Sequence, residues 1–394
     1  ILSLICANIV GYVELCIIAR NYLPALNMIE LTFLEIIIIF IWVFVCRMMY
    51  RKFYPPRHLL LVYGYKTPTE FIDKINARKD KYIIADRIHV SEGEKALKEK
   101  ILQYDGVILC ETKAYIRNEL VKYCFEHSIR SYVVPKLSDI IILGAEPIHL
   151  FDTPLLLSRN QGLTGEDMIF KRLMDIIVSL IMIIIFSPFM ILIALAIKLY
   201  DRGPVFYKQD RLTLNGRGFK IMKFRSMRMD SEEHGAQLAR KHDDRITPVG
   251  RVIRATHLDE LPQLFNILKG DMSVVGPRPE RPEIAAQYRE TFPEFDYRLK
   301  MKAGLTGYAQ VYGKYNTTPR DKVKLDLTYY EQYSLWLDLK LILLTFKILF
   351  QKENTEGIDA NQTTAIREDK TKKTGIKHPH DEAEDAFYSV EEKK

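Results

Sequence analysis

Cysteine is scarce and scattered. The five in 394 residues, Cys6, Cys16, Cys46, Cys110 and Cys124, are isolated, with no CxxC pair and no histidine partner at zinc-site spacing, which argues against a zinc ribbon and a disulfide framework and leaves reduced, structural thiols. The nine histidines lack metal-ligand spacing, and no HExxH, Walker loop, or serine or cysteine nucleophile motif occurs. Finger spacing, an aromatic RNP-like strand and a dense basic recognition helix are missing too, so nucleic acid is not an expected partner. The sequence starts at Ile1 without a methionine or a basic n-region, which leads to the expectation that it is N-terminally incomplete, with membrane spans upstream. What the chain does have is 48% hydrophobic content, gathered into a few runs, and a net charge of +7 that fits anionic lipid headgroups and phosphorylated substrates. Its length allows two or three domains.

Residues 1–19 and 29–50 are apolar runs of the length a bilayer requires and read as transmembrane helices. Arg47, Arg51, Lys52 and Arg57 follow the second run, and the loop between the runs carries only Arg20 against Glu30. The positive-inside rule therefore puts the chain from residue 51 onward in the cytoplasm. Glu14 and Glu35 interrupt the two runs, and bundle-facing or near-interface positions suit them better than a functional polar site. From 59 to about 144 the pattern becomes β-rich runs at 59–63, 82–88, 107–110 and 131–134, separated by helix-like stretches near 69–79, 92–103 and 114–126. That alternation predicts a small Rossmann-like parallel-sheet domain over 57–147. The first strand leads into Tyr63-Gly-Tyr-Lys-Thr-Pro68, which lacks the GxGxxG spacing that a dinucleotide pyrophosphate needs, so an assembly or regulatory module is favoured over a cofactor domain.

The next long apolar stretch, 168–200, holds Ser187-Pro188 at its middle. A straight helix of that length would reach about 50 Å against a hydrocarbon core of about 30 Å. A proline break could turn it back toward its entry face. Lys171 and Arg172 before the run, with Lys198 and Arg202 after it, put basic flanks at both ends. A kinked, tilted span remains the alternative. It would carry everything downstream across the membrane. Beyond it, 201–352 reads as a compact α-rich domain that closes with an apolar segment at 335–350. That segment is too short to span, and carries Lys340 and Lys347 on one face, which suits an interfacial helix or a buried core helix. Residues 353–394 are charged, with little to bury, and are expected to form a disordered tail.

The segment 254–279 places the adjacent carboxylates Asp259 and Glu260 between Arg254 and Arg278. The pair offers a nucleophile or metal ligand, with guanidinium groups suited to phosphate oxygens; alone, it would equally be the charged first turn of a helix. Pro277 and Pro279 fix the backbone around Arg278. Lys223 and Arg225 are further candidates for binding a substrate anion, as is Lys314. Asp326 and Asp338 read better as members of structural ion pairs, and His257 as a surface residue than as a base.

Five ordered motifs carry a resemblance that extends from about 171 to 357: Phe206-Tyr-Lys-Gln-Asp-Arg211, Lys223-Phe-Arg-Ser-Met227, Asp259-Glu-Leu-Pro-Gln263, Gly276-Pro-Arg-Pro279 and Gly304-Leu-Thr-Gly307. The chain resembles the bacterial sugar transferases, monotopic phosphoglycosyl transferases of the long form. The resemblance implies transfer of a hexose-1-phosphate from a UDP-sugar to polyprenyl (undecaprenyl) phosphate with release of UMP, initiating exopolysaccharide or capsule assembly. It implies a covalent phosphosugar intermediate on Asp259 with Mg²⁺ as cofactor bound there, Glu260 as its support, a re-entrant membrane helix over 165–200, a catalytic domain on the cytoplasmic face of the bacterial plasma membrane, and a CoA-binding-like module at 57–147. The family often has proline where Ala303 stands and arginine where Lys314 stands. A lysine lacks the bidentate fork, which weakens the carry-over at Lys314. A homodimer is the default for an enzyme of this size. Two other readings stand beside this one: a membrane-anchored ligand sensor or scaffold, and a conventional glycosyltransferase that would release UDP.

Overall fold

The computed structural model describes residues 2–64, 68–76, 81–158, 163–228, 245–313 and 317–349. The tail at 353–394 and Lys314 lie outside them. The chain divides into two compact units, Ile1–Val134 and Pro135–Lys394.

The first unit begins with two apolar helices, α1 (Leu2–Ala19) and α2 (Ala25–Phe53). α2 has a mean hydropathy of 2.5 over its most apolar window and no residue of that window is buried, so by length and composition it can cross a bilayer. Where the two helices meet, Asn8 Nδ2 donates to Glu35 Oε2 at 2.6 Å and to Thr32 Oγ1 at 3.0 Å. Glu35 thus faces the neighbouring helix, as an apolar setting requires of a carboxyl.

A four-stranded sheet follows, built from β1 (Arg57–Tyr63), α3 (Thr69–Asn76), β2 (Tyr82–His89), α4 (Glu94–Ile101), β3 (Gly106–Cys110), α5 (Ala114–Glu126) and β4 (Arg130–Val133). The order is β2-β1-β3-β4 and every pairing is parallel. Central strands of such a sheet are covered on both faces, which is why β1 and β3 read as continuous apolar runs. Leu60 and Val62 pack on one face with Leu97, Ile101 and Leu120; Leu59 and Leu61 pack on the other with Ile108 and Cys110. Cys110 and Cys124 are buried and form no disulfide with a described residue, and burial pushes Cys124 up to about 11, which leaves it unreactive.

The sheet unit ends at Val134, earlier than the boundary at 147 expected from the sequence. Beyond it, α6 (Leu137–Leu143) buries Ile140 beside Val323 and Leu327 of the second unit, so it belongs to that core. An exposed hairpin, β5 (Glu146–Leu150) and β6 (Thr153–Leu157), leads to α7 (Gly165–Asp201).

α7 is a single helical element of 37 residues that runs through Pro188; the break expected at Ser187-Pro188 does not divide it. Proline at 188 deprives the Ile184 carbonyl, four residues back, of its usual donor. The Ser187 hydroxyl donates to that same carbonyl at 2.9 Å, which satisfies the group and lets the helix continue. Its first half is tied down by polar contacts. Lys171 Nζ lies 2.7 Å from Asp338 Oδ2, and Asp175 Oδ1 accepts from Ser273 Oγ at 2.9 Å and from the Val274 amide at 2.8 Å. Its second half buries Met190, Ile193 and Ile197 against Phe224 and Ile253.

The rest of the second unit is built from β7 (Phe206–Leu212) and β8 (Gly218–Phe224), α8 (Pro248–Ala255), α9 (Gln263–Lys269), β9 (Ser273–Val275), α10 (Pro282–Thr291), β10 (Gly304–Thr306), α11 (Tyr308–Tyr312), α12 (Pro319–Glu331) and α13 (Leu335–Leu349). β7 and β8 form an antiparallel hairpin; β9 and β10 pair in parallel. α13 is buried on one side and exposed on the other. Asp338 and Leu341 are fully buried, while Trp336, Leu339, Leu343 and Phe346 are exposed, next to the exposed Lys340 and Lys347. Asp338 and Asp326 are both in buried ion pairs, the latter with Arg298 at 2.9 Å.

Candidate active site

The β7–β8 hairpin sets Tyr207 opposite Lys223 and presents Arg211 and Lys223 to one cleft. The carboxylate pair approaches from the other side on a 3-10 turn, Leu258–Glu260, entered through His257 with φ of 55°. In such a turn successive side chains diverge by about 120°, more than the quarter-turn an α-helix would have given, so the two carboxylates have separate surroundings. The turn is held in place by its continuation. Asn266, 4% exposed on α9, accepts from the Met222 amide and donates to the Lys220 carbonyl, both at 2.9 Å. Its carboxamide therefore takes the place of a neighbouring strand along β8 and fixes α9, with the preceding turn, at one register. Asn266→Ala leaves both backbone groups unpaired, and an expected loss of about 2–4 kcal/mol would show as an early unfolding transition.

The arginine loop is equally fixed. Four successive carbonyls are occupied: Pro277 by the Gly304 amide at 2.9 Å, Arg278 by Arg298 Nη2 at 3.1 Å, Pro279 by Arg211 Nη1 at 3.1 Å and Glu280 by the Leu212 amide at 3.0 Å. Gly304 is required here, because a Cβ on it would lie 2.1 Å from the Gly276 amide nitrogen. Arg278 is thereby aimed at the dyad from a rigid backbone. α8 is pressed against the end of the hairpin in the same way: a Cβ on Gly250 would meet the Ser226 carbonyl at 1.9 Å. That approach brings Arg254, in the last turn of α8, within electrostatic range of Asp259.

The two carboxylates differ in every respect that matters to chemistry. Lys223 Nζ at 2.6 Å and Arg278 Nη2 at 3.3 Å both bind Glu260 Oε1. Burial opposes ionisation of Glu260, but these two cations outweigh it and hold the carboxyl well below its ordinary range. Asp259 makes no hydrogen bond and no ion pair with any described residue. Burial, and then the negative charge of Glu260, push it up to about 6 from its ordinary 3.8. His257 is half-buried, and burial lowers it from its ordinary value.

An open cleft beside these groups is lined by Arg211, Lys223, Glu260, Gln263, Arg278 and Gly304 among others. It combines three cations with one clamped carboxylate, and suits a polyanion. Arg225 is not part of it. Its guanidinium is buried and paired with Asp201 at the end of α7, because β8 ends at Phe224 and the next residue turns to the hairpin's far end. Of the residues expected from the sequence, Asp259, Glu260, Lys223, Arg278 and Arg254 come together, Arg225 does not, and Lys314 lies outside the described residues. Arg211, Gln263, Asn266 and His257 join the site unforeseen, although all but Asn266 lie within or beside the quoted motifs.

Residues 166–352 match the family model described as bacterial sugar transferase. The UDP-glucose:undecaprenyl-phosphate glucose-1-phosphate transferase of Caulobacter vibrioides is 40% identical over 189 residues, which are 47% of this chain and 71% of the relative. The chain belongs to the bacterial sugar transferase family. A UDP-glucose:undecaprenyl-phosphate glucose-1-phosphate transferase of Klebsiella pneumoniae is 43% identical over 209 residues, 52% of this chain and 43% of the relative. A UDP-N-acetylgalactosamine-undecaprenyl-phosphate N-acetylgalactosaminephosphotransferase of Aeromonas hydrophila is 44% identical over 182 residues, 45% of this chain and 43% of the relative. The chain thus matches less than half the length of these two relatives. In this sugar transferase the family match takes in α7 from its second residue to the end of α13, and with them every residue of the cleft.

Among the described residues no group of three or more histidine, cysteine or acidic side chains forms a metal cage. Magnesium does not need one, since it is commonly held by one or two carboxylates together with substrate phosphates and water. An unpaired Asp259 carboxylate, with Glu260 Oε2 free of both clamping cations, fits that mode of binding.

Proposed function

We propose that this sugar transferase moves a hexose-1-phosphate from a UDP-sugar to polyprenyl phosphate, releasing UMP, through a covalent phosphosugar on Asp259. The observation that carries the reading is the unequal dyad. Glu260 is held by Lys223 and Arg278, which leaves Asp259 as the carboxylate free to attack. An Asp259 oxygen adds to the β-phosphorus while the bond from that phosphorus to the UMP oxygen breaks, and UMP departs with the electron pair. An oxygen of polyprenyl phosphate then attacks the same phosphorus, the bond to Asp259 breaks, and the carboxylate is regenerated. Arg278, Lys223 and Arg211 neutralise the diphosphate and position it, and Arg254 adds positive charge beside the nucleophile. Mg²⁺, held by Asp259 and Glu260, would supply further charge neutralisation at the phosphates.

The enzyme works in this reading at the cytoplasmic leaflet, with α7 entering and leaving on one side of the membrane. Lys171 and Asp175 at one end of α7, and Ile197 and Asp201 at the other, are fastened to the same compact unit, which supports a re-entrant rather than a crossing course. The exposed apolar face of α13 with Lys340 and Lys347 supports contact with the same leaflet. The route serves the start of surface-glycan assembly, where UDP-sugars are available on the cytoplasmic side.

Incubation of the membrane-embedded protein with UDP-glucose, UDP-galactose and their N-acetylated counterparts, with and without polyprenyl phosphate, tests the proposal. UMP is the expected nucleotide product, and without acceptor the intact protein gains the mass of a hexose phosphate. Release of UDP, or activity that survives Asp259→Ala, would overturn it.

A further inference from the structure

Gln263 is the one neutral amide lining the cleft, among Arg211, Lys223, Arg278 and Glu260. The residue is 3% exposed and its carboxamide makes no hydrogen bond with any described residue, whereas the neighbouring amide of Asn266 satisfies two backbone groups. The amide faces the cleft, and its donor and acceptor are left open to a ligand there. Gln263 opens α9 directly after the turn that carries the dyad, four residues beyond Asp259.

The stereochemistry of the attack decides which part of the substrate it meets. In an in-line displacement the nucleophile and the leaving oxygen occupy opposite apices about the phosphorus. UMP therefore departs on the side away from Asp259. The sugar oxygen and the two non-bridging oxygens stay equatorial, beside the segment that delivers the nucleophile. The non-bridging oxygens carry charge, and three cations already line the cleft for them. What remains for a neutral group that both donates and accepts is a neutral polar substituent of the sugar, and the one nearest the phosphorus is on the carbon adjoining the anomeric centre.

We propose that Gln263 is a substrate-contacting residue that hydrogen-bonds the 2-position hydroxyl or acetamido group of the transferred hexose. The inference rests on the phosphosugar-transfer reading of the site. It makes Gln263 the residue through which the enzyme senses the sugar, separately from the arginines that hold the phosphates.

The test uses the full chain in membranes, with whichever of the four UDP-sugars gives the fastest UMP release and with its 2-deoxy analogue. For the wild type, kcat/KM is expected to fall about 10- to 100-fold on removing the 2-substituent. In Gln263→Ala and in Gln263→Met, which keeps the volume and guards against a packing defect, the parent substrate is expected to lose a similar factor and the 2-deoxy analogue to lose little more. Equal losses on both substrates would place Gln263 against the phosphoryl group or in a packing role and overturn the assignment. So would a coupling that appears only with the 4- or 6-deoxy analogue. No UMP from the wild type with any donor would instead overturn the transfer reading itself, and this inference with it.

Discussion

Asp259→Asn is expected to abolish sugar-phosphate transfer, by a factor above about 10⁴, and in the same protein to raise the unfolding temperature in metal-free buffer. Both follow from one feature: the Asp259 carboxyl is crowded by protein and by the Glu260 charge without a cation of its own. A folded-state value of about 6 against the ordinary 3.8 means that the native state binds this proton more tightly than the unfolded chain. Stability is therefore lost as pH rises from below 4 to above 6, as the carboxyl ionises in a place that disfavours the charge. The full difference corresponds to about 3 kcal/mol, which the remaining access of solvent reduces to about 1–2 kcal/mol. Asparagine keeps the shape and removes the charge, so the variant gains that amount at pH 8 and nothing at pH 4. Mg²⁺ should reverse the order, stabilising the wild type and leaving the variant unmoved. Thermal melts at the two pH values with and without Mg²⁺ check this directly, and equal melts at pH 8 without metal would show that Asp259 carries no such strain. Functional residues held at a cost to stability are common in active sites.

How far the sequence reveals this architecture depends on whether the controlling interaction is local. The strands of the first unit are readable because buried parallel strands must be apolar along their whole length: β1 and β3 fall within two residues of the runs at 59–63 and 107–110. The dyad and its loop are readable because aspartate, glutamate and proline-framed arginine stand in compact motifs. Hidden are the groups whose role depends on a partner far along the chain. Arg225 looks like a twin of Lys223 two positions earlier, but Asp201, 24 residues upstream, takes it away from the cleft. Asn266 looks like any polar helical residue until it is found 44 residues from the strand it completes. Lys171 and Arg172 look like the basic flank of a membrane helix. Lys171 pairs instead with buried Asp338, and Arg172 donates to the Ile267 and Leu268 carbonyls that end α9. The sequence singles out Pro188 because its missing donor is obvious, whereas the Ser187 hydroxyl that takes up the freed carbonyl is not.

The division of labour in the dyad makes Glu260→Gln the more discriminating change. Removing this charge has two opposed consequences. Lys223 and Arg278 lose the anion that fixes them, so the phosphate-binding cations are no longer held in the geometry that the reaction needs, and a fall in kcat of about 10²–10³ is expected. At the same time Asp259 loses the neighbouring negative charge that, after burial, contributes most to raising it. Its proton then leaves more easily, and the acid limb of the rate profile moves to lower pH. Glutamine keeps size and hydrogen-bonding capacity, so neither effect is a consequence of an empty space. Single-turnover formation of the phosphosugar-protein, followed by intact mass from pH 5 to 8, reads both at once. A slower plateau with the limb displaced toward acid supports a clamp that also tunes the nucleophile. A slower plateau with the limb unmoved would mean that Glu260 holds the cations but does not set the ionisation of Asp259. A limb displaced toward alkali would contradict the tuning role of Glu260, because removing a negative neighbour by itself lowers Asp259.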